Sequence, residues 1–251
     1  MRHTNYDDIA AEYDRRYDEE DYTGIERALV DFIGNQGAGI LEVGCGTGHW
    51  LRTLQARRIR AIGADLSRQM LLGARTKTWG IPLIRARAEA LPFSSSTLDR
   101  IFSINAHHHF SDKLQFIREA RRVLRPSGSV MAIALDPHSG TDRWWVYDYF
   151  EGTREIDMQR YPSCAQIRAW MGEAGFVHAR TCEVQHIPGD ICALEAFEKG
   201  MISRSRTSQL AVLTETEFAA GMERIRVALK RTRSLRLSAD LRVYATYGSV
   251  P

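Results

Sequence analysis

Ile40-Leu41-Glu42-Val43-Gly44-Cys45-Gly46-Thr47-Gly48 is the stretch that decides the fold of this 251-residue chain. Its first four residues form an apolar run too short for a helix, and they lead at once into three glycines at alternate positions. The spacing predicts a strand, a tight loop and then a helix from about Gly48 to Arg57. Glycines in such a loop let the backbone approach a ligand closely, and the free N–H groups at the helix start attract its anionic part. Glu42, just before the loop, places a carboxylate near that ligand.

The same rhythm recurs on both sides. Upstream, Ile25, Ala28, Leu29, Phe32 and Ile33 recur at helical spacing until the glycine-rich segment Gly34 to Gly39 stops the helix. Downstream, a strand at Arg60 to Gly63 ends at Asp65, and a helix carrying Met70, Leu71 and Ala74 follows Ser67 as its cap. Short strands are expected at Leu83 to Ala86 and Asp99 to Ile104, a helix from about Ser111 to Leu124, and a strand at Ser129 to Leu135. Strands alternating with helices indicate a parallel sheet covered on both faces. Asp65 lies about 20 residues past the loop at a strand end, where a carboxylate can grip two ribose hydroxyls. A dinucleotide fingerprint would need GxGxxG, but the third glycine is Gly48 and His49 takes the sixth position, which counts against a nicotinamide-dependent oxidoreductase.

After Asp136 the rhythm breaks at Arg143-Trp-Trp-Val-Tyr-Asp-Tyr-Phe150, whose aromatics suit a core plug or a pocket wall. A helix capped by Ser163 and closed by Gly175 leads to a strand from Val177 to Ile187. A largely helical insertion then runs from Pro188 to about Arg233, before a last strand near Leu241 to Tyr247.

Composition narrows the class. With 44% hydrophobic residues the chain can bury one sizeable core. No stretch approaches the length of apolar sequence that spans a bilayer, so a cytoplasmic protein is expected. Cys45, Cys164, Cys182 and Cys192 are dispersed without a CxxC pair and read as reduced thiols. A net charge of +3 is too small to argue for nucleic acid, and the arginine-rich stretch from Arg224 to Arg242 lacks an interleaved stacking platform. Acids cluster from Asp7 to Asp21 and bases from Lys230 to Arg236, both read as solvated faces.

Six segments in order now carry a resemblance: YDDIAAEYD at the start, EVGCGTG, GADLS, AEALPF, LDRIFSINAHHHF and REARRVLRPSG. Over about Tyr6 to Val130 the chain resembles class I S-adenosylmethionine-dependent methyltransferases, in particular the small-molecule group that includes ubiquinone- and menaquinone-biosynthesis enzymes. The resemblance implies a Rossmann-like, seven-stranded, mostly parallel sheet over 26–187 and 233–251, with a helical substrate cap from 1–25 and 188–232. It also implies that Glu42 helps hold the methionine ammonium and that Gly44, Gly46 and Gly48 pack against the methionine portion. Asp65 would take the ribose hydroxyls, Leu66 and Met70 would lie beside the adenine, and Ala88 and Glu89 would meet its edge. Asn105 would lie under the methionyl part, and Tyr13 resembles a tyrosine that covers the cofactor in some relatives. The product would be S-adenosylhomocysteine.

His107, His108 and His109 are expected at the sheet's carboxyl edge, where a histidine can accept a proton while a substrate oxygen or nitrogen attacks the methyl group. His108 is the first candidate for that role and His107 the second. Three consecutive histidines do not easily ligate one ion, so no metal is expected. Methyl transfer needs chiefly positioning and exclusion of water, and aromatic faces such as those of Tyr13, Trp144, Trp145 or Tyr147 can stabilise a sulfonium. A planar or lipophilic small-molecule acceptor fits the aromatic segment and the insertion. Its identity, the atom methylated and the oligomeric state are not specified by these motifs. A non-catalytic protein that keeps the cofactor pocket for sensing has the same motifs and stays open.

Overall fold

In the computed structural model, which describes residues 21–34, 39–204 and 207–251, the deciding strand is β1 (Ile40–Val43), flanked by α1 (Thr23–Ile33) and α2 (His49–Ala56). The chain continues through β2 (Ile62–Asp65), α3 (Arg68–Lys77), β3 (Leu83–Arg85) and β4 (Leu98–Ile104). A 3₁₀ turn at His107–His109 then leads to α4 (Lys113–Val123) and β5 (Leu124–Leu135). Side chains set these boundaries: Ser67 Oγ accepts the Met70 N–H to start α3, and Asp112 accepts the Gln115 N–H to start α4.

Strands β1 to β5 are parallel in the order β3-β2-β1-β4-β5. The order reverses between β1 and β4, and it is at the carboxyl ends of strands flanking such a switch that open α/β sheets hold their ligands. Alternate residues of β1 enter different cores. Leu41 and Val43 join Ile101, Phe116 and Ile117 on one face, whereas Ile40 joins Leu29, Leu51 and Phe102 on the other. Each fully buried Leu, Ile or Phe there contributes about 1.5–3 kcal/mol, and both faces are covered, as the continuous apolar run of β1 requires.

The second part of the chain comprises β6 (Arg143–Trp144), α5 (Trp145–Tyr149), α6 (Thr153–Arg160), α7 (Cys164–Glu173), β7 (Val177–Cys192), α8 (Ala193–Glu198), α9 (Ser208–Ala211), α10 (Glu215–Arg231) and β8 (Arg236–Ser249). Strand β8 lies antiparallel between β5 and β7. Among the described residues the sheet has eight strands rather than seven. The addition is β6, which pairs Arg143 with Asp240 and Trp144 with Ala239 where β8 has run past the end of β5.

Two strands are longer than the sequence pattern indicated. β7 passes through Pro188 to Cys192, because among the described residues it pairs only with β8, and a proline on an edge strand removes no ladder bond on its open side. β8 begins at Arg236, opposite Cys192. The expected helical insertion therefore starts at Ala193 and contains three helices among the described residues, the longest started by a capping box between Thr214 and Glu217. In β5, pairing begins at Leu124, breaks over 125–128 and resumes at Ser129, opposite Arg100. Pro126, Gly128 and Ser127 at φ 63° occupy that break.

The segment 143–150 supplies part of a third apolar cluster. Trp144, Val146 and Phe150 pack there with Ala193, Ala196, Leu210, Leu213, Ile225, Leu237 and Leu241. Phe150 is fully buried and stacks on Phe218 with ring centroids 5.4 Å apart. Among the described residues no helix is long and apolar enough to cross a membrane.

Candidate active site

At the end of β1 the backbone turns through Gly44, Gly46 and Gly48 with φ of 77°, 52° and 80°. These left-handed values favour glycine, and at Gly44 space excludes anything larger: a Cβ there would lie 2.4 Å from the Cβ of Ala106. The Gly44 and Cys45 N–H groups both donate to the Ala64 carbonyl, at 2.8 and 3.1 Å, which fastens the loop to β2. Asp65, at the end of β2, accepts the Gly46 N–H at 2.8 Å through Oδ2 and the Ser67 N–H at 2.8 Å through Oδ1. One carboxylate thus joins the glycine loop to the start of α3.

Glu42 is 1% exposed, and its Oε2 has no hydrogen-bond partner among the described residues. Burial, reinforced by the nearby Asp65 carboxylate, holds its carboxyl well above the usual carboxylate range. A buried carboxylate oxygen without a donor is costly, and a cationic or N–H-bearing ligand at the glycine loop would relieve that cost.

The other predicted residues are disposed around this centre. Leu66 follows Asp65 and is exposed, while Met70 on α3 is buried. Ala88 is buried against the first core cluster. Glu89 accepts the N–H groups of Ser111 and Asp112, at 2.8 and 3.1 Å, and the Ser111 hydroxyl at 2.8 Å. It therefore braces the loop after β3 against the start of α4. Asn105 leaves β4 in the left-handed region at φ 51°, its N–H bonded to the Ile133 carbonyl of β5. Tyr13 lies outside the described residues.

Beyond Asn105, His107 and His108 are buried, and none of their four ring nitrogens has a hydrogen-bond partner among the described residues. Burial, with Lys113 nearby, pulls His107 down to about 4. Burial and then the charges of His109, His107, Arg160 and Lys113 push His108 further below the usual imidazole range. Both rings are neutral at neutral pH.

The sequence reading missed what lies against them. The His108 ring stacks on Tyr161 with centroids 3.9 Å apart and planes inclined by 14°. Tyr161 follows Arg160, whose side chain is 2% exposed and pairs at 2.8 Å with the fully buried Asp157. Asp157 also accepts the Tyr147 hydroxyl at 2.8 Å, and Arg160 donates to the Ser208 hydroxyl and carbonyl at 3.2 and 3.3 Å. Gln209 donates to the Tyr161 hydroxyl at 3.2 Å. Asp157 and Arg160 are three residues apart on a short helix, a pattern that ordinarily marks a solvated pair, so the sequence carried no sign of their burial. No group of three or more His, Cys, Asp or Glu among the described residues is arranged to hold a metal ion.

Residues 41–132, which contain the glycine loop, Asp65, Glu89 and the histidines, match the family model described as a methyltransferase domain. Over these residues the chain is similar to methyltransferases. An uncharacterized protein of Methanocaldococcus jannaschii is 32% identical over 123 residues, covering 49% of this chain and 47% of that protein. A phthiotriol/phenolphthiotriol dimycocerosates methyltransferase of Mycobacterium ulcerans is 30% identical over 128 residues, covering 49% of this chain and 47% of that enzyme. The chain thus spans about half the length of these two relatives. A solved structure of a putative methyltransferase from an antibiotic biosynthesis pathway of Anabaena variabilis shares the fold, at TM-score 0.69 and 20% identity over 90% of this chain and 96% of that one. The matched residues end within β5, so the ion pair, Tyr161 and the third apolar cluster all lie outside the match.

Proposed function

We propose that this protein transfers the methyl group of S-adenosylmethionine to a small-molecule acceptor, releasing S-adenosylhomocysteine. The observation that carries the reading is Glu42 Oε2, buried and unpartnered beside a loop of three left-handed glycines. A carboxylate in that position suits the methionine ammonium, and the left-handed turn through Gly44, Gly46 and Gly48 brings main chain beside it. Asp65, fixed by the Gly46 and Ser67 amides at the end of β2, is the carboxylate we assign to the ribose hydroxyls. We assign the exposed Leu66 and the buried Met70 to the adenine. We assign Ala88 and Glu89 to the adenine edge, Asn105 to the methionyl part, and Tyr13, outside the described residues, to covering the cofactor.

The bound cofactor supplies a methyl group already activated by its sulfonium, so the protein's contribution is to align the acceptor and exclude water. We place His108 and His107 at the acceptor's nucleophilic atom. A neutral imidazole there can take a proton from the acceptor or donate a hydrogen bond to one already ionised. The third apolar cluster, built from 143–150 and the helices of 193–231, we read as the substrate cap, with 1–25 as its other part. Its aromatics favour a planar or lipophilic acceptor. All four cysteines are free thiols, in keeping with a reducing, cytoplasmic setting.

Isothermal calorimetry with S-adenosylmethionine, S-adenosylhomocysteine and NAD tests the reading. Binding of the first two alone, lost on Asp65→Ala, is expected. Binding of NAD instead, or of none of the three, would overturn it.

A further inference from the structure

Seven side-chain atoms at or near the carboxyl edge are buried without a hydrogen-bond partner among the described residues: Glu42 Oε2, Ser103 Oγ, the four ring nitrogens of His107 and His108, and Arg160 Nε. Unpaired buried polar atoms are rare in folded proteins and each costs about 1–3 kcal/mol. Glu42 and Ser103 lie on β1 and β4, whereas the other five lie on the histidine turn and at the end of α6. The two groups differ in charge. Around Glu42 the neighbouring charge is the Asp65 carboxylate. Around His108 the neighbouring groups are cationic or can become so: His109 and His107, then Arg160 and Lys113, which donates to the Phe110 carbonyl at 3.1 Å.

The carboxylates near the histidine group are already engaged. Asp157 is held by Arg160 and the Tyr147 hydroxyl, and Arg160 is the member of that pair whose charge bears on His108. Glu89 is taken up by the Ser111 and Asp112 amides. Arg160 and His108 both adjoin the Tyr161 ring, with the guanidinium carbon 5.7 Å and the imidazole centroid 3.9 Å from its centre. Arg160 Nε–H is a donor only, and a neutral imidazole has one donor nitrogen. Charge-assisted bonds from such donors to an oxygen anion are short and strong in a dry site.

We infer that the methyl acceptor is an oxyanion, a carboxylate or a phenolate on a lipophilic body, received by His108 and Arg160 beside the Tyr161 ring. The inference rests on the methyltransferase reading and narrows its acceptor. The oxygen anion attacks the methyl carbon as the carbon–sulfur bond breaks, and the bonding pair stays on sulfur. The products, a methyl ester or ether and a thioether, are neutral at these centres, so no proton moves. His108 is then a neutral hydrogen-bond donor that positions the anion, and the cations around it that would oppose its protonation favour the anion instead. An amine acceptor would have to bring a proton or a positive charge among Arg160 and Lys113.

The test is calorimetric titration of 4-butylbenzoate, 4-butylphenol and 4-butylbenzylamine into the protein saturated with S-adenosylhomocysteine, near pH 7.5. Benzoate is expected to bind at least about tenfold more tightly than the amine, a gap of about 1.4 kcal/mol. Phenol binding that strengthens towards pH 9.5 and overtakes benzoate would assign the phenolate, and its absence the carboxylate. His108→Phe and Arg160→Gln should each weaken the anion about tenfold while leaving S-adenosylhomocysteine affinity intact. Because Arg160→Gln disturbs a buried pair, His108→Phe serves alone if that variant fails to fold. Equal or tighter binding of the amine, or no benzoate binding at millimolar concentration with S-adenosylhomocysteine bound, overturns the oxyanion assignment. Failure of S-adenosylhomocysteine itself to bind overturns the methyltransferase reading instead.

Discussion

Replacing Gly44 by alanine separates two costs that the glycine loop avoids. Its φ of 77° lies in the left-handed region, where an L side chain costs roughly 1–2 kcal/mol. The added Cβ would meet the Ala106 Cβ at 2.4 Å, and overpacking of that kind costs roughly 1–3 kcal/mol. The sum, about 2–5 kcal/mol, corresponds to a fall in melting temperature of about 4–20 °C for a chain of this size. Ala106→Gly in the same protein removes the collision and leaves the backbone strain. Thermal or urea unfolding of the two single variants and the double variant closes the cycle, with an expected coupling of about 1–3 kcal/mol in favour of the double variant. Additive effects, or a Gly44→Ala protein that melts within about 2 °C of the parent, would refute the proposed close approach between the glycine loop and the residue after Asn105.

Glu42→Gln should act in opposite directions on stability and binding. It removes a carboxyl that burial disfavours in its charged form, so the free protein should unfold at higher urea near pH 8, while S-adenosylmethionine affinity falls about tenfold or more in calorimetry. His107 titrates at about 4 in the fold against about 6.5 when unfolded, so its contribution is fully present above pH 6.5 and is lost as pH falls towards 4. The loss amounts to roughly 3 kcal/mol, and urea midpoints from pH 7.5 to 4.5 should show a shallower decline in His107→Gln. Asp157→Ala leaves Arg160 buried without its carboxylate and should cost about 3–5 kcal/mol by denaturant unfolding, whereas Asp157→Asn combined with Arg160→Met should recover much of it.

The first half of the fold was readable because its information is local. β1, the loop and Asp65 follow one another within one strand-helix-strand unit, each marked by glycines, a cap or an apolar run. Caps were legible where a serine stood at the boundary, as at Ser67 and Ser163. The second half depends on partners distant in sequence. Pro188 reads as a strand breaker unless one knows that β7 has an open edge, and two residues such as Arg143 and Trp144 form a strand only because β8 outruns β5. The site divides in the same way. Glu42, Asp65 and the histidines could be named from spacing, but the burial of Asp157 and Arg160, which gives the histidine turn its charged neighbour, results from packing of α6 against Ser208 and Tyr147.

The position of β8 also bears on the order of folding. Its ladder with β5 joins Ser129 to Ser249, whose side chains meet at 3.1 Å across a separation of 120 residues. Local pairings in β1 to β4 can form early, but this contact requires closure of a long loop, and such pairings slow folding. Until β8 arrives, β5 presents an unpaired edge rich in Val130, Met131 and Ile133, a template for joining with another chain. Aggregation during refolding should therefore track exposure of the β5 edge, and a charged residue introduced near Ser129 would protect the intermediate more than the native protein.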